Sequence, residues 1–270
     1  MDRRSLIAAG LAAPALAQLA MGQAHAQTAP RSRLQTIQQN GVLRAGTTGD
    51  FNPMSFRDPA TRELAGHQID CMKKLADELG VKLEWVPTTW PTLINGLTAN
   101  QYDLVATGTS VSVARMKAAA FTNPWGINAF APLVRREEAA RYTSWDALNQ
   151  PGVTVAFNLG TTMEQFARGA LPNAAIRRVE SPVRDFQELL AGRVNVTITS
   201  LVEGSHLQRE YPQLQMILAD QARNTIPLCF MVPVDDPIFL NFMNNWVMLH
   251  QTSGFFTDLA KRWSLTLYRG

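Results

Sequence analysis

What most limits the folds open to this chain is the spacing of its short apolar runs. They are separated by amphipathic stretches of about ten residues and followed by turn-forming loops. Residues 41–46 read as a first strand, and the Thr47-Thr48-Gly49-Asp50-Phe51-Asn52-Pro53 stretch after it is too rich in turn formers to be regular. Ile69, Met72, Leu75 and Leu79 recur at helical spacing up to Gly80. Residues 81–86 then read as a strand, 90–97 as a helix and 104–106 as a buried strand. A β-α-β-α-β order implies right-handed crossovers and a mainly parallel sheet. The same grammar restarts after residues 129–134, with strands expected at 153–157, 175–179, 194–199 and 215–218 and helices at 145–148, 163–171, 183–191 and 201–211. A last strand at 228–232 and helices at 237–251 and 255–263 have no partner of their own and are expected to pack back on the first unit. The expected fold class is therefore α/β with two lobes, residues 27–131 plus 233–270 forming the first and 132–232 the second. Two crossings between them would make a hinge around a cleft.

The first 26 residues carry Arg3-Arg4, an Ala- and Leu-rich apolar run and Ala24-His25-Ala26, the pattern of a cleaved export signal. The arginine pair leaves twin-arginine and Sec routes both open. The location this implies is the periplasm, and no later stretch is apolar enough to suggest membrane embedding. Without residues 1–26, 23 basic and 21 acidic side chains remain, a net charge of +2. The basic residues are scattered, the densest group being Arg135-Arg136 beside Glu137-Glu138. No nucleic-acid module is expected. Cys71 and Cys229 leave one disulfide open in an exported chain, although both stretches also suit buried free thiols. There is no CxxC or HExxH, and neither a metal nor a cofactor is expected.

Residues 103–125 carry most of the functional signal. Thr107, Gly108, Thr109 and Ser110 follow the strand at 104–106, at the carboxyl end where open α/β sheets collect ligands, and Arg115 comes five residues later. Hydroxyls, turn amides and one guanidinium fork suit a carboxylate; a solvated arginine on a surface turn is the plainer alternative. Phe51 and Trp90 sit in polar loops after strands, where an aromatic ring either stacks on a ligand or packs at a helix start. Thr162, after Gly160-Thr161, caps the next helix and can also receive an anionic group. Glu164 in that helix's first turn suits the helix dipole, or, in a closed apolar cleft, a general acid. Met54, Phe56 and Met163 read as packing. Asp70 and Asp103 read as caps. No nucleophile-base-acid set is legible, for there is no GxSxG.

The loop Gly46-Thr47-Thr48 through Pro53, the Trp90 turn, the stretch from Thr107 to Arg115 with Phe121-Thr122-Asn123-Pro124-Trp125, and Gly160-Thr161-Thr162 resemble the extracellular solute-binding proteins of polar amino-acid ABC importers. That resemblance implies two α/β lobes around a hinged cleft and a permease as partner. It also implies a ligand carboxylate on Arg115 with help from Thr107, Ser110 and Thr162, and a ligand side chain between Phe51 and Trp90, with Thr48 and Gly108 as further candidate ligand-binding residues. Its ammonium-binding aspartate falls at Ser200, at the end of the 194–200 stretch, so the expected ligand is a carboxylate without a neighbouring amine, such as a keto or aromatic acid. A second resemblance, through Thr47-Thr48-Gly49-Asp50, Pro87-Thr88-Thr89-Trp90-Pro91, Pro151-Gly152-Val153-Thr154, Glu164 and Phe166-Ala167-Arg168, is to the periplasmic cyclohexadienyl dehydratases. These use the same fold to remove water and carbon dioxide from prephenate or arogenate. It implies Glu164 as the acid and Arg115 as the anchor.

Overall fold

Gly41 takes a left-handed φ of 67° that closes helix α1 (Arg33–Asn40) and turns the chain into β1 (Val42–Thr47). The computed structural model describes residues 31–268, and the expected export signal lies outside them. After β1 a small antiparallel sheet is formed by β2 (Asp50–Phe51), β3 (Ser55–Arg57) and β4 (Leu64–Ala65). Helix α2 (His67–Leu79) follows, its Ile69, Met72 and Leu75 buried as their spacing predicts, and is stopped by left-handed Gly80. Strand β5 (Lys82–Pro87) then pairs parallel with β1 from Val42↔Lys82 to Thr47↔Pro87. The expected helix at 90–97 is a 3-10 turn, Trp90–Thr92, leading into α3 (Leu93–Thr98). Strand β6 (Leu104–Val105) lies on β1's other side, also parallel. Helix α4 (Val113–Met116) and strand β7 (Ala120–Phe121) complete this part.

Strand β8 (Gly126–Arg135) opens a second sheet. After it come α5 (Trp145–Leu148), β9 (Thr154–Asn158), α6 (Thr162–Ala170), β10 (Ala175–Val179), α7 (Asp185–Leu190), β11 (Val196–Ser200), α8 (Leu201–Glu210), β12 (Leu214–Met216) and β13 (Arg223–Leu228). The chain returns through β14 (Met231–Val232) and ends in α9 (Pro237–Thr252) and α10 (Phe255–Arg262). The sheet orders are β5-β1-β6-β14-β7 and β10-β9-β11-β8-β12, with β13 also on β8. The architecture is thus α/β with two sheet-rich lobes.

Neither sheet is wholly parallel. β9 is parallel to β10 and β11, but β8 runs antiparallel to β11, β12 and β13, and β14 antiparallel to β6 and β7. The reason is geometric: β8 and β14 carry the chain from one sheet to the other, and a strand entering a sheet without a helical crossover can join it antiparallel. Residues 126–131, assigned by the sequence to the first lobe, hydrogen-bond within the second sheet, so the change of sheet falls between Phe121 and Gly126. The return falls between Leu228 and Met231.

Leu43, Ala45, Leu104, Met72, Leu75, Phe230 and Met231 form one core with Phe239, Met243 and Val247 of α9. Phe130, Val155, Phe157, Val196 and Ile198 form another with Trp145. Cys71 and Cys229 are buried free thiols. Among the described residues, no helix is long and apolar enough to cross a membrane.

Both parallel β-α-β arrangements put their strand ends, and the loops that follow β1, β6, β9 and β11, around one cleft. Close packing behind the first of these loops is tight at Gly46, where a Cβ would meet the fully buried Tyr102 ring at 2.8–2.9 Å. The ring cannot swing away, because its hydroxyl donates to the Leu93 carbonyl at 2.6 Å. Gly46→Ala is expected to lower stability by about 1–3 kcal/mol through overpacking. The expected readout is a lower urea midpoint with an unchanged denaturant slope.

Candidate functional site

The cleft is lined from the first lobe by Phe51, Trp90, Gly108, Ser110 and Arg115, and from the second by Asn158, Thr161, Thr162, Met163, Arg184, Asp185, Ile198 and Glu203, around about 400 Å³ of non-atom space that includes its mouth. Phe51 and Trp90 meet edge to face, with centroids 5.8 Å apart, and form an aromatic wall. Trp90 is fixed there because its indole N–H donates to Asp50 Oδ1 at 3.1 Å. Gly108, at φ 79°, lets the backbone pass behind Phe51, whose ring a Cβ would meet at 2.9 Å.

Arg115 stands at the end of this wall on α4, a helix begun by the Ser112 hydroxyl. Its Nη1 donates to the Ser110 carbonyl at 2.9 Å, and its Nη2 crosses the cleft to the Gly160 carbonyl at 3.1 Å. Burial pulls its pKa down to about 10, so it stays charged at neutral pH. Both of its partners are neutral, and among the described residues no carboxylate forms an ion pair with it. Opposite, Thr161 caps α6, accepting from the Glu164 amide at 3.3 Å and donating to the Asn158 carbonyl at 2.7 Å. Among the described residues the Thr162 hydroxyl is bonded only to the Met163 sulfur, at 3.8 Å, and Thr162 lines the cleft at the helix's positive end.

Four expected residues do not line the cleft. Thr107 is fully buried, and its hydroxyl bonds to Thr48 Oγ1 at 2.6 Å and Ser55 Oγ at 2.7 Å, so Thr48 and Thr107 tie together the loops after β1 and β6. Ser200 is also fully buried and caps α8 by accepting from the Glu203 amide at 3.1 Å. Glu164, the expected acid, is engaged elsewhere. Its Oε2 accepts from the Gly160 amide at 2.8 Å, and its Oε1 is in an ion pair with Arg168 Nη2 at 2.9 Å. Glu164 is not among the residues that line this cleft, and both its oxygens are bonded within its own helix and the turn before it.

The carboxylates that do line the cleft are Asp185 and Glu203. Arg184 donates from Nη2 to Glu203 Oε1 at 2.7 Å, from Nε to Asn158 Oδ1 at 2.9 Å, and from Nη1 across the cleft to the Asp50 carbonyl. Asp185 accepts from the Thr197 hydroxyl and the Phe186 amide, and Glu203 Oε2 from the Thr199 hydroxyl at 3.0 Å. Burial pushes the Glu203 carboxyl up to about 7; Arg184 and Thr199 oppose this, while Asp185 and Asp50 add to it. Burial also raises Asp185, against the pull of Arg184. Arg184 is penalised by burial but held above its ordinary value by Glu203, Asp50 and Asp185. The sequence hides these residues among ordinary helix starts. Ser200-Leu201-Val202-Glu203 has the spacing of a capping box, and Arg184-Asp185 opens α7. The legible signal was the acid three residues after a strand that ends at the cleft.

The sequence profile of the bacterial extracellular solute-binding proteins, family 3, matches residues 43–266. The cyclohexadienyl dehydratase of Pseudomonas aeruginosa is 32% identical over 251 residues, 92% of each chain. The L-cystine-binding protein TcyJ of Escherichia coli is 26% identical over 180 residues, 67% of this chain and 66% of that one. Among solved structures, an ancestral amino acid-binding protein described as a precursor of cyclohexadienyl dehydratase superposes with a TM-score of 0.81 at 35% identity, covering 86% of this chain and 99% of its own.

Glu203 makes stability depend on pH in a definite direction. Between about pH 4.5 and 7 the folded protein keeps a proton on Glu203 that the unfolded chain has released. This contribution is therefore complete below that window and lost as pH rises through it. Glu203→Gln removes it, so the difference in Tm between wild type and this variant should shift across the window in favour of the variant and stay level above pH 7. A constant difference from pH 4 to 8 would assign Glu203 an ordinary pKa.

Proposed function

We propose that this chain, which belongs to the bacterial extracellular solute-binding proteins of family 3, captures a small carboxylate-bearing solute in its cleft and presents it to the permease of an ABC importer. The observation that carries this reading is Arg115, a charged guanidinium 7% exposed whose protein partners are two neutral carbonyls. A buried cation without a counter-ion costs several kcal/mol. A ligand carboxylate supplies the missing charge, with charge-assisted hydrogen bonds of roughly 1.5–3 kcal/mol each. The Thr162 hydroxyl at the α6 N-terminus can receive the same group from the opposite lobe, so a bound anion draws both lobes onto itself. Closure of residues 32–121 and 231–268 against residues 126–228, in the periplasm after export, is the capture step. Binding proteins for L-cystine and other amino acids among the relatives support this use of the fold.

A second reading, a dehydratase, is favoured by one observation: Glu203 lines the cleft with its carboxyl raised to about 7, the range a general acid needs. On prephenate, the ring carboxylate leaves as carbon dioxide. The electron pair of its broken C–C bond becomes a ring π bond, the C–O bond breaks, and the Glu203 proton leaves with the hydroxyl as water. Arg115 would hold the remaining carboxylate.

Arg115→Ala is expected to weaken the tightest ligand from a thermal-shift screen of amino acids and 2-oxo or aromatic acids by about 100-fold or more, by titration calorimetry. Glu164→Gln should change that affinity by less than about 3-fold, since its carboxylate faces Arg168. Unchanged affinity in the Arg115 variant would end the carboxylate-clamp reading. For the dehydratase, purified protein is incubated with prephenate and phenylpyruvate is followed by its absorbance in alkali. Turnover that Glu203→Gln abolishes while Glu164→Gln retains it would establish the enzyme, and no turnover in wild type would remove it.

A further inference from the structure

The chain does not stop at α10 on the first lobe. The Leu265 and Ser264 amides return to the Ala260 and Lys261 carbonyls at 2.9 and 3.0 Å, the bond pair of a Schellman turn. Ser264 takes the left-handed φ of 50° that such a turn needs and that glycine usually supplies. The turn sends residues 264–268 to the place where the chain changes sheet. Leu265 and Leu267 pack against the first lobe's core, while Tyr268 packs on Ala129, Ala131 and Leu201 of the second. The Tyr268 amide donates to the Ile127 carbonyl at 3.0 Å, in the part of β8 that precedes its pairing with β11. Arg209 of α8 donates from Nη2 to the Ser264 carbonyl at 3.3 Å. Leu267 lies at both crossings: a Cβ on Gly126, where the first ends, would meet Leu267 Cδ2 at 3.4 Å and Leu228 Cδ1, where the second begins, at 3.9 Å.

We infer that residues 264–268 form a third connection between the lobes, a strap beside the two crossings that holds the cleft closed. The segment follows α10 and so travels with the first lobe, yet its hydrogen-bonded end lies on the second. Leu265 and Leu267, two positions apart, serve the first core, and Tyr268, the next residue, serves the second, the side-chain alternation of an extended segment. The strap contacts exist in the same arrangement in which Arg115 reaches the Gly160 carbonyl and Arg184 the Asp50 carbonyl across the cleft. A rotation about the crossings that parts those groups also carries β8 and α8 away from α10. It must then draw Tyr268 off Leu201 and Ile127, or Leu265 and Leu267 off the first core, so each opening costs contacts on the hinge side as well as in the cleft. The closed arrangement is thereby weighted before any solute arrives, which raises the fraction of protein competent to hold one. This device is independent of what the cleft binds.

The test is double electron-electron resonance on the full mature protein with no solute added. Spin labels are placed at Ala60→Cys and Gln165→Cys, exposed positions on the first and second lobes, while the buried Cys71 and Cys229 thiols take no label. Tyr268→Ala removes the ring from the second lobe and leaves the rest of the strap in place; deletion of residues 265–270 removes the strap altogether. Both variants are expected to raise the population of longer interlobe distances by about 3-fold or more over wild type, the deletion by more than the substitution. Tyr268→Phe, which keeps the ring on Leu201, should give the wild-type distribution. Thermal melts followed by circular dichroism show which variants fold, and Tyr268→Ala decides the matter alone if the deletion does not. A distribution in folded Tyr268→Ala that is unchanged or shifted to shorter distances overturns the inference, as does a Tyr268→Phe variant that opens as far as Tyr268→Ala. Because no solute is present, that outcome leaves the carboxylate reading standing, and unchanged affinity in Arg115→Ala would end the carboxylate reading and leave the strap.

Discussion

Two guanidinium groups cross the cleft in opposite directions, and the arrangement of everything near them follows from how each is neutralised. Arg115 reaches from the first lobe to the Gly160 carbonyl in the second, and Arg184 from the second lobe to the Asp50 carbonyl in the first. A guanidinium keeps its charge even when buried, so each must find acceptors or a counter-ion. Arg184 has three carboxylates around it. Arg115 has carbonyl dipoles alone, and that asymmetry is the physical basis for proposing that a ligand anion binds beside Arg115.

The loops that hold these groups are stiffened by side chains that the ligand does not touch. The hydroxyl chain Thr48–Thr107–Ser55 joins the loops after β1 and β6 to β3, and the Glu164 carboxylate locks the Gly160 amide in the turn that Arg115 meets. Gly160 itself has a φ of 79°, and a Cβ there would meet the Pro91 nitrogen at 2.7 Å. The second lobe's loop thus lies directly on the first lobe's Trp90 turn. Contacts this short between lobes require a glycine and make closure sensitive to small displacements.

Other buried titratable groups are silent by comparison. His67 is stacked on Trp125 at 4.6 Å and held down to about 3 by burial, so it stays neutral throughout the physiological range. Burial pushes Cys229 up to about 12 and Cys71 well above its ordinary value, so both thiols are unreactive as thiolates at neutral pH. The cleft carboxyls differ from these: burial raises Asp185 against the pull of Arg184, and raises Glu203 together with the like charge of Asp185 and Asp50.

The sequence by itself determined the α/β alternation, the two-lobed plan and the arginine at the cleft. Apolar periodicity, glycine stops at Gly41 and Gly80, and the hydroxyl-rich turn before Arg115 are local signals, and local physics suffices to read them. Phe51, Trp90, Gly108, Ser110 and Thr162, which the sequence also singled out, line the cleft, because loops after parallel strands converge whatever their partners. Only the tertiary structure decided which polar side chains face the cavity. Thr48, Thr107, Ser200 and Glu164 were plausible on position but are engaged by hydrogen bonds to neighbours within four residues or in an adjacent loop. Arg184 and Asp185 were not legible, and Glu203 was marked only as an acid three residues after a strand, because their chemistry comes from one another: α7, α8 and β11 must pack before three ordinary helix-start residues become a buried charged cluster. Desolvation and mutual charge set the protonation of such groups, and neither exists until residues as far apart as Arg184 and Glu203, 19 positions, or in the opposite lobe, are brought into contact.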